Sequence, residues 1–185
     1  MNQNKPTEGE LFIEAFLKSK RIKCQTQKRI DSLKNDSKSH RVADFYLPNY
    51  KVYMEFQGLW NNTPEQRLSY KEKMLVYANN ELPCMYLYPE NLGIMEYIFH
   101  IRLLEVLKKF GLQKELVKYK IWRFLNEKQG LLIWFLVLFY YMIVGYDDAK
   151  PDTINETIYF FAFFSEIIIT VKLILGFNKY YIKEM

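Results

Sequence analysis

Three polar side chains, Asp44, Glu55 and Gln57, lie in an apolar, strand-like stretch, ADFYLPNYKVYMEFQG, at residues 43–58. Two carboxylates at the end of a strand hairpin can hold Mg2+ through oxygen ligands, and the metal can then activate water and neutralise a phosphodiester in its transition state. Glu10, on a predicted helix upstream, could supply a third carboxylate. The alternative is a pair of ordinary sheet-edge acids, each paired with Lys or Arg. The spacing alone does not decide between the two.

The helix that carries Glu10 has a recognisable start. It is predicted to run from Thr7 or Glu8 to about Lys20, because Thr7 and Glu10 have the spacing of a capping box. The side chains expected to face the core are Leu11, Ala15 or Phe16, and Leu17.

The elements that follow are typical of an α/β domain. Apolar runs bounded by turn residues predict strands, and Thr63 followed by Pro64 predicts the start of a helix. The predicted order is helix, three strands, helix, strand, helix, and then a further helix that leads into an apolar region. The expected bounds are 22–30, 41–48 and 51–58 for the first three strands, 63–80 for the second helix, 83–89 for the fourth strand, and 91–110 and 112–128 for the later helices.

Basic residues are in excess only in the first 130 residues. The chain has 26 Lys and Arg against 21 Asp and Glu, yet residues 131–185 carry four Lys against six acids. Residues 17–41 alone hold nine Lys and Arg against two Asp. Such a stretch attracts a polyanion such as nucleic acid, although a solvated basic face explains the charge equally well.

The cysteines and histidines give little support to a zinc site or to nucleophilic catalysis. Cys24 and Cys84 lie far apart and outside any zinc-binding spacing, so reduced packing thiols are expected. His40 and His100 are also isolated, which favours surface or packing roles over a metal site or a nucleophile and base pair.

Two apolar segments predict a transmembrane hairpin. Residues 130–146 and 157–177 are the expected spans, the first being short for a bilayer core that needs about 20 residues. Lysines flank the hairpin and acids dominate its link, so by the positive-inside rule both ends of the chain should be cytoplasmic. The alternative is a soluble helical hairpin. Glu166, inside the second span, is expected to face another helix, by preference in a homo-oligomer.

The N-terminal half resembles the PD-(D/E)XK, or restriction-endonuclease-like, nuclease superfamily, particularly its compact members related to very-short-patch repair endonucleases. The resemblance covers roughly residues 7–92. The segments that carry it are TEGELFIEAFL with Glu10, RVADFYLP with Asp44, VYMEFQG with Glu55 and Gln57, and YKEKMLVY with Tyr70, Lys73 and Tyr77.

The resemblance implies a mixed sheet flanked by helices over residues 1–110 and a metal-dependent endonuclease. Asp44 and Glu55 would bind Mg2+ or Mn2+, and Glu10 would assist them. Gln57 stands where the family signature has Lys. A neutral amide can orient water but cannot stabilise hydroxide with a positive charge. Lys73, on the following helix, is the expected replacement, with Lys71 as its rival.

Further residues near these motifs are expected to contact nucleic acid. Arg41 and Arg67 offer planar forks for phosphate oxygens, and Tyr70 shares a helix face with Lys73. Trp60 could stack on a base, or it could simply close the core.

Together these patterns predict a nuclease domain, a linker helix at 111–129, two spans, an acidic extracytoplasmic loop at 147–156 and a basic cytoplasmic tail at 178–185. The protein would cleave nucleic acid, DNA ahead of RNA, beside a bacterial cytoplasmic membrane, with defence against phage or foreign DNA as its role. The alternatives are a catalytically inactive nucleic-acid or protein adaptor and a membrane-perturbing effector that acts through the hairpin. The sequence does not identify partner proteins.

Overall fold

The computed structural model describes residues 6–144 and 153–181. It divides into two compact units, Met1–Leu116 and Val117–Met185. The first unit is an α/β domain with a four-stranded mixed sheet, and its elements follow the predicted order. Its elements are α1 (Glu8–Ser19), β1 (Gln25–Asp31), β2 (His40–Leu47), β3 (Val52–Phe56), α2 (Pro64–Asn79), β4 (Cys84–Leu87) and α3 (Met95–Lys109).

Helix α1 begins at the predicted capping box. The backbone N–H of Glu10 donates to Thr7 Oγ1 at 3.3 Å, and the backbone N–H of Thr7 donates to Glu10 Oε2 at 2.9 Å. The expected inward face was only partly right. Leu17 is buried, and Phe16, the alternative to Ala15, is half-buried with its ring 5.5 Å from that of Phe99. Leu11 is 49% exposed and Ala15 is also exposed, while Ile13 is fully buried.

The sheet has the order β1-β2-β3-β4. Strands β1, β2 and β3 are antiparallel neighbours, whereas β4 runs parallel to β3. A tight turn links β2 to β3, closed by a 3.0 Å bond from Tyr50 N to Leu47 O, with Lys51 in the left-handed region at φ 57°. Helix α2 forms the crossover to β4, because a parallel pair needs a long connection; Thr63 caps it and Pro64 opens it.

The core lies on both faces of β3. Phe45, Met54 and Leu87 are almost fully buried, as are Leu103 and Leu107 of α3, which packs against β3 and β4. A 3-10 helix at Pro89–Ile94 precedes α3, so the predicted α-helix starting at residue 91 instead begins at Met95. The mixed sheet flanked by helices was therefore predicted correctly, with this boundary as the main shift.

The second unit is helical. Helix α4 (Gln113–Glu127) begins in the last residues of the first unit and leads to α5 (Gln129–Val144) and α6 (Thr153–Tyr181). Within α6, the 19 residues Phe160–Asn178 have a mean hydropathy of 2.0 and are long and apolar enough to cross a membrane. The apolar part of α5, Gln129–Ile143, is shorter. Most of the predicted 147–156 loop and the last residues of the 178–185 tail lie outside the described residues, and the remainder of both segments belongs to α6.

Candidate active site

Asp44 and Glu55 lie side by side on neighbouring strands. The β2–β3 register pairs Phe45 with Met54, and its continuation places Asp44 opposite Glu55. The backbone N–H of Phe56 donates to Asp44 Oδ2 at 2.8 Å, which fixes one carboxylate oxygen. Directly opposed residues of an antiparallel pair share one face of the sheet and have Cβ atoms about 5 Å apart. The hairpin therefore presents two carboxylates to one small region.

Helix α2 supplies a cation and a hydroxyl to this pair. Lys73 Nζ donates to Glu55 Oε2 at 2.6 Å and to the carbonyl oxygen of Val42 at 2.8 Å. One turn later, the Tyr77 hydroxyl donates to Glu55 Oε1 at 2.9 Å. Lys71, the rival lysine, is exposed and lines a different surface. Of the two lysines, Lys73 is the one whose ammonium group reaches the carboxylates.

Burial shapes the electrostatics of the pair. Glu55 is only 3% exposed, and burial together with the nearby Asp44 carboxylate raises its pKa to about 8, while Lys73 acts in the opposite direction. Burial also raises the pKa of Asp44, again against the attraction of Lys73. Two buried carboxyl groups this close favour holding a proton unless a stronger positive charge is present. A divalent cation would supply that charge.

Gln57 has a buried amide that lacks a hydrogen-bond partner. Its side chain is fully buried, and neither Nε2 nor Oε1 has a partner among the described residues. Its backbone N–H donates to Leu87 O at 2.7 Å, so the strand geometry of β3 continues to this residue. By strand alternation, Gln57 shares the face of Glu55. An orphaned buried amide costs roughly 1–3 kcal/mol, so a water molecule or a ligand oxygen is expected beside it.

Glu10 lies near the pair without joining it closely. A Cβ on Gly9 would lie 2.2 Å from Phe56 Cε1, so the first turn of α1 packs directly against the side chain of Phe56. The charge of Glu10 contributes to the raised pKa of Asp44. Within the described residues, however, no group of three or more His, Cys, Asp or Glu side chains is arranged to hold a metal ion.

Of the two arginines expected to contact nucleic acid, Arg41 is buried and Arg67 is exposed. Arg41 is 5% exposed, and its guanidinium forms ion pairs with Asp36 Oδ1 and Glu72 Oε1, both at 2.6 Å. Asp36 lies in a loop, and no sequence signal identified it as the partner. Arg67 is exposed and donates from Nε to the carbonyl oxygen of Trp60 at 3.1 Å. The guanidinium of Arg67 is therefore accessible to a phosphate, whereas Arg41 would first have to break its ion pairs with Asp36 and Glu72.

Tyr70 and Trp60 hold the loop between β3 and α2. The backbone N–H of Leu59 donates to the Tyr70 hydroxyl at 3.2 Å, and the Trp60 ring lies 6.4 Å from the Tyr70 ring and 5.1 Å from that of Tyr88. The hydroxyl of Tyr77 was not assigned a role from sequence, although its position four residues after Lys73 put it on the same helix face.

Comparisons of the chain with protein-family models, with curated proteins and with solved structures find no match. The residues themselves must therefore support any assignment of function.

The donor set fits a hard divalent cation. Asp44 and Glu55 supply carboxylate oxygens, and the orphaned amide oxygen of Gln57 is a further hard donor on the same face. Mg2+ is usually bound through one or two carboxylates and keeps several waters, so two acidic ligands are enough. The carboxylate oxygens already accept bonds from Phe56, Lys73 and Tyr77, but each oxygen has a second lone pair.

Proposed function

We propose that this protein is a metal-dependent endonuclease of the PD-(D/E)XK type that hydrolyses phosphodiester bonds of nucleic acid beside a membrane. One observation carries the proposal: Asp44 and Glu55 are opposed across the β2–β3 hairpin, and a helix lysine, Lys73, reaches Glu55 Oε2 at 2.6 Å. This arrangement supports the resemblance noted for residues 7–92. It brings together groups that lie 29 positions apart in the chain, from Asp44 to Lys73.

Each side chain has a distinct part in this proposal. Asp44 and Glu55 would hold Mg2+ or Mn2+, which when bound supplies Lewis-acid activation of water and charge neutralisation at the scissile phosphate. Tyr77 fixes the orientation of Glu55. The Gln57 amide orients a water molecule, and Lys73 supplies the positive charge that Gln57 lacks.

The substrate and the cellular location are inferred from residues outside the carboxylate pair. Arg67 is exposed at the start of α2 and binds a phosphate, with the Trp60 ring beneath its guanidinium at 5.6 Å. The basic excess of the first 130 residues favours a polyanionic substrate. DNA is proposed ahead of RNA because the resemblance is to repair endonucleases. Helix α6 anchors the chain in the bilayer, α5 completes a second span, and both ends lie in the cytoplasm. Tethering limits the substrate to nucleic acid near the membrane, which suits defence against incoming DNA.

A cleavage assay tests the proposal. Full-length protein in detergent is incubated with labelled linear and circular DNA and with RNA, in Mg2+ and in EDTA. We expect cleavage in Mg2+ alone. Activity should fall at least about a hundredfold in Asp44→Asn, which removes a metal ligand, and in Lys73→Met, which removes the positive charge at the site. Lys71→Met is the matched control. If Asp44→Asn cleaves as fast as the wild type, the assignment is wrong.

A second candidate function is a catalytically inactive adaptor with the same fold. It is favoured by the occupancy of Glu55, whose two oxygens already bind Lys73 and Tyr77. Metal binding separates the candidates independently of turnover. An active site should take up Mn2+, detected by electron paramagnetic resonance, and Asp44→Asn should abolish that uptake, whereas an adaptor would bind DNA without it.

A further inference from the structure

Strand β4 forms one edge of the sheet, and a groove runs along it. In the order β1-β2-β3-β4, no strand in the described part of the chain pairs with the outer side of β4. The groove has a volume of about 730 Å3 and lies between α2 and α3. Its walls are mostly apolar, with Leu75 and Ala78 from α2, Val106 and Phe110 from α3, and Tyr86 in the floor. This volume falls within the range of pockets that hold ligands.

The backbone at the floor of the groove is set to pair with another strand. Tyr53 N donates to the carbonyl oxygen of Pro83, just before β4, and Gln57 N donates to that of Leu87 at the end of β4, each at 2.7 Å, so these two residues bond toward β3. Because alternate residues of a strand bond to opposite sides, the N–H and C=O groups of Cys84 and Tyr86 face the open edge. An edge flanked by apolar side chains and bearing backbone donors and acceptors is a site for strand addition.

The rim of the groove carries a positive excess. Lys71, Arg102 and Lys109 line it, against the single acid Glu105. Leu75 is 61% exposed beside them. A second copy of the chain would bring an identical cationic rim against the first, which opposes pairing between copies. An acyl chain could contact the apolar walls but could not bond to the strand edge.

We propose that this groove binds an extended segment of a partner protein in which apolar residues alternate with acidic ones. The segment adds to β4 as a fifth strand and bonds to the backbone of Cys84 and Tyr86. Its apolar side chains lie against Leu75 and Phe110, and its carboxylates face Arg102 and Lys109. Lys73 and Glu55 are not part of this groove, so the interaction is separate from the proposed nuclease chemistry.

The test uses a fluorescein-labelled peptide of alternating valine and glutamate, and a matched peptide of alternating valine and lysine. Both are titrated against full-length protein in nanodiscs of zwitterionic lipid. We expect the glutamate peptide to bind at least about tenfold more tightly than the lysine peptide, and Arg102→Glu with Lys109→Glu to reverse that preference. Leu75→Glu should weaken the glutamate peptide by a similar factor. Lys23→Glu, at an exposed lysine outside the groove, is the control and should leave the affinity unchanged.

Hydrogen exchange locates the bound peptide. The amide protons of Cys84 and Tyr86 should exchange more slowly when the glutamate peptide is bound. Equal affinity for the two peptides, or unchanged exchange at these amides, would overturn the proposal. Binding of oleate that depends on Leu75, without binding of the glutamate peptide, would assign the groove to an amphiphile instead.

Discussion

Lys73 Nζ lies 2.6 Å from Glu55 Oε2, and the side chain of Glu55 is only 4% exposed. The ion pair joins helix α2 to strand β3 below the surface of the domain. Burying two charges is costly, and the attraction between them offsets that cost only while both are present. The presence of the pair therefore does not by itself indicate net stabilisation. Loss of either member should nevertheless lower both the free energy of unfolding and the activity proposed for the site.

Removal of Lys73 should destabilise the domain in a pH-dependent way. Lys73→Met leaves Glu55 buried without its cation, and breaking such a pair costs about 3 kcal/mol when the remaining group stays charged. At low pH, Glu55 can take up a proton and avoid much of this cost. We therefore expect a larger loss of unfolding free energy in urea at pH 9 than at pH 6. Lys71→Met, on the exposed side of α2, should change stability little at either pH; equal losses in both variants would contradict the pairing.

The carboxylate pair should make metal-free stability fall as pH rises. The pKa of Glu55 is raised to about 8 in the folded protein from an ordinary 4.5, so the folded state holds a proton that the unfolded state has released between these values. Stability from this group is fully present below about pH 4.5 and is lost as pH rises through about 8. Mg2+ binds the ionised form, so it should restore stability most strongly near pH 8.

Urea unfolding at several pH values, with EDTA or with Mg2+, measures this effect. Glu55→Gln should flatten the pH dependence in EDTA. It should also reduce the stabilisation by Mg2+. A wild-type profile that rises from pH 5 to pH 8 in EDTA would be opposite in sign and would remove the case for a buried, proton-holding Glu55.

Gly9 should be intolerant of even a methyl group. A Cβ at this position would lie 2.2 Å from Phe56 Cε1 and 2.5 Å from its Cζ. Gly9→Ala must therefore push α1 away from β3 or force the Phe56 ring aside, and overpacking of this kind costs about 1–3 kcal/mol. Gly93→Ala, where a Cβ meets nothing within 4 Å, is the control. Thermal unfolding of the two variants measures the difference, and equal midpoints would contradict a tight contact between Gly9 and the Phe56 ring.

Much of the first unit could be predicted because its signals are local. Capping residues located the starts of α1 and α2, and turn residues located the hairpin. Asp44 and Glu55 could also be paired from sequence, since the short turn fixes the register between their strands. The inward face of α1 was harder to predict, because the helical period allowed more than one face. Only packing against the rest of the domain decides that Ile13 is buried and Leu11 exposed.

The surroundings of the candidate site could not be predicted in the same way. Arg41 was expected to face nucleic acid, but its partner Glu72 is 31 positions away and Asp36 lies in an irregular loop. Nor does the sequence reveal that the Gln57 amide is buried without a partner, because burial at the end of a strand depends on how the surrounding segments pack over it. Long-range packing, rather than residue type, decides both cases.

Arg67 and Arg41 should respond differently to substitution. Arg67 is exposed, so Arg67→Gln should weaken DNA binding and reduce the slope of log affinity against log salt by about 1. Arg41→Gln breaks a buried ion pair with Asp36 and a second ion pair with the exposed Glu72, so its main effect should be a lower unfolding free energy. Fluorescence anisotropy in an Asp44→Asn background measures binding without cleavage. An unchanged salt slope in Arg67→Gln would exclude the phosphate contact.

Glu166 tests whether the helical unit is an anchor or an effector. Its side chain is 7% exposed, and neither carboxylate oxygen has a partner among the described residues. If the hairpin only anchors the protein, Glu166→Leu removes an unpaired buried group and should raise the apparent unfolding temperature of the helices in detergent by roughly 2–4 °C. Ser165→Leu, at an exposed neighbour, is the control.

Both variants should stay in the membrane fraction after carbonate extraction, and neither they nor the wild type should depolarise cells carrying a membrane-potential dye. Depolarisation by the wild type that Glu166→Leu abolishes would instead make the hairpin the active part, because a functional carboxyl is retained at such a position despite its cost.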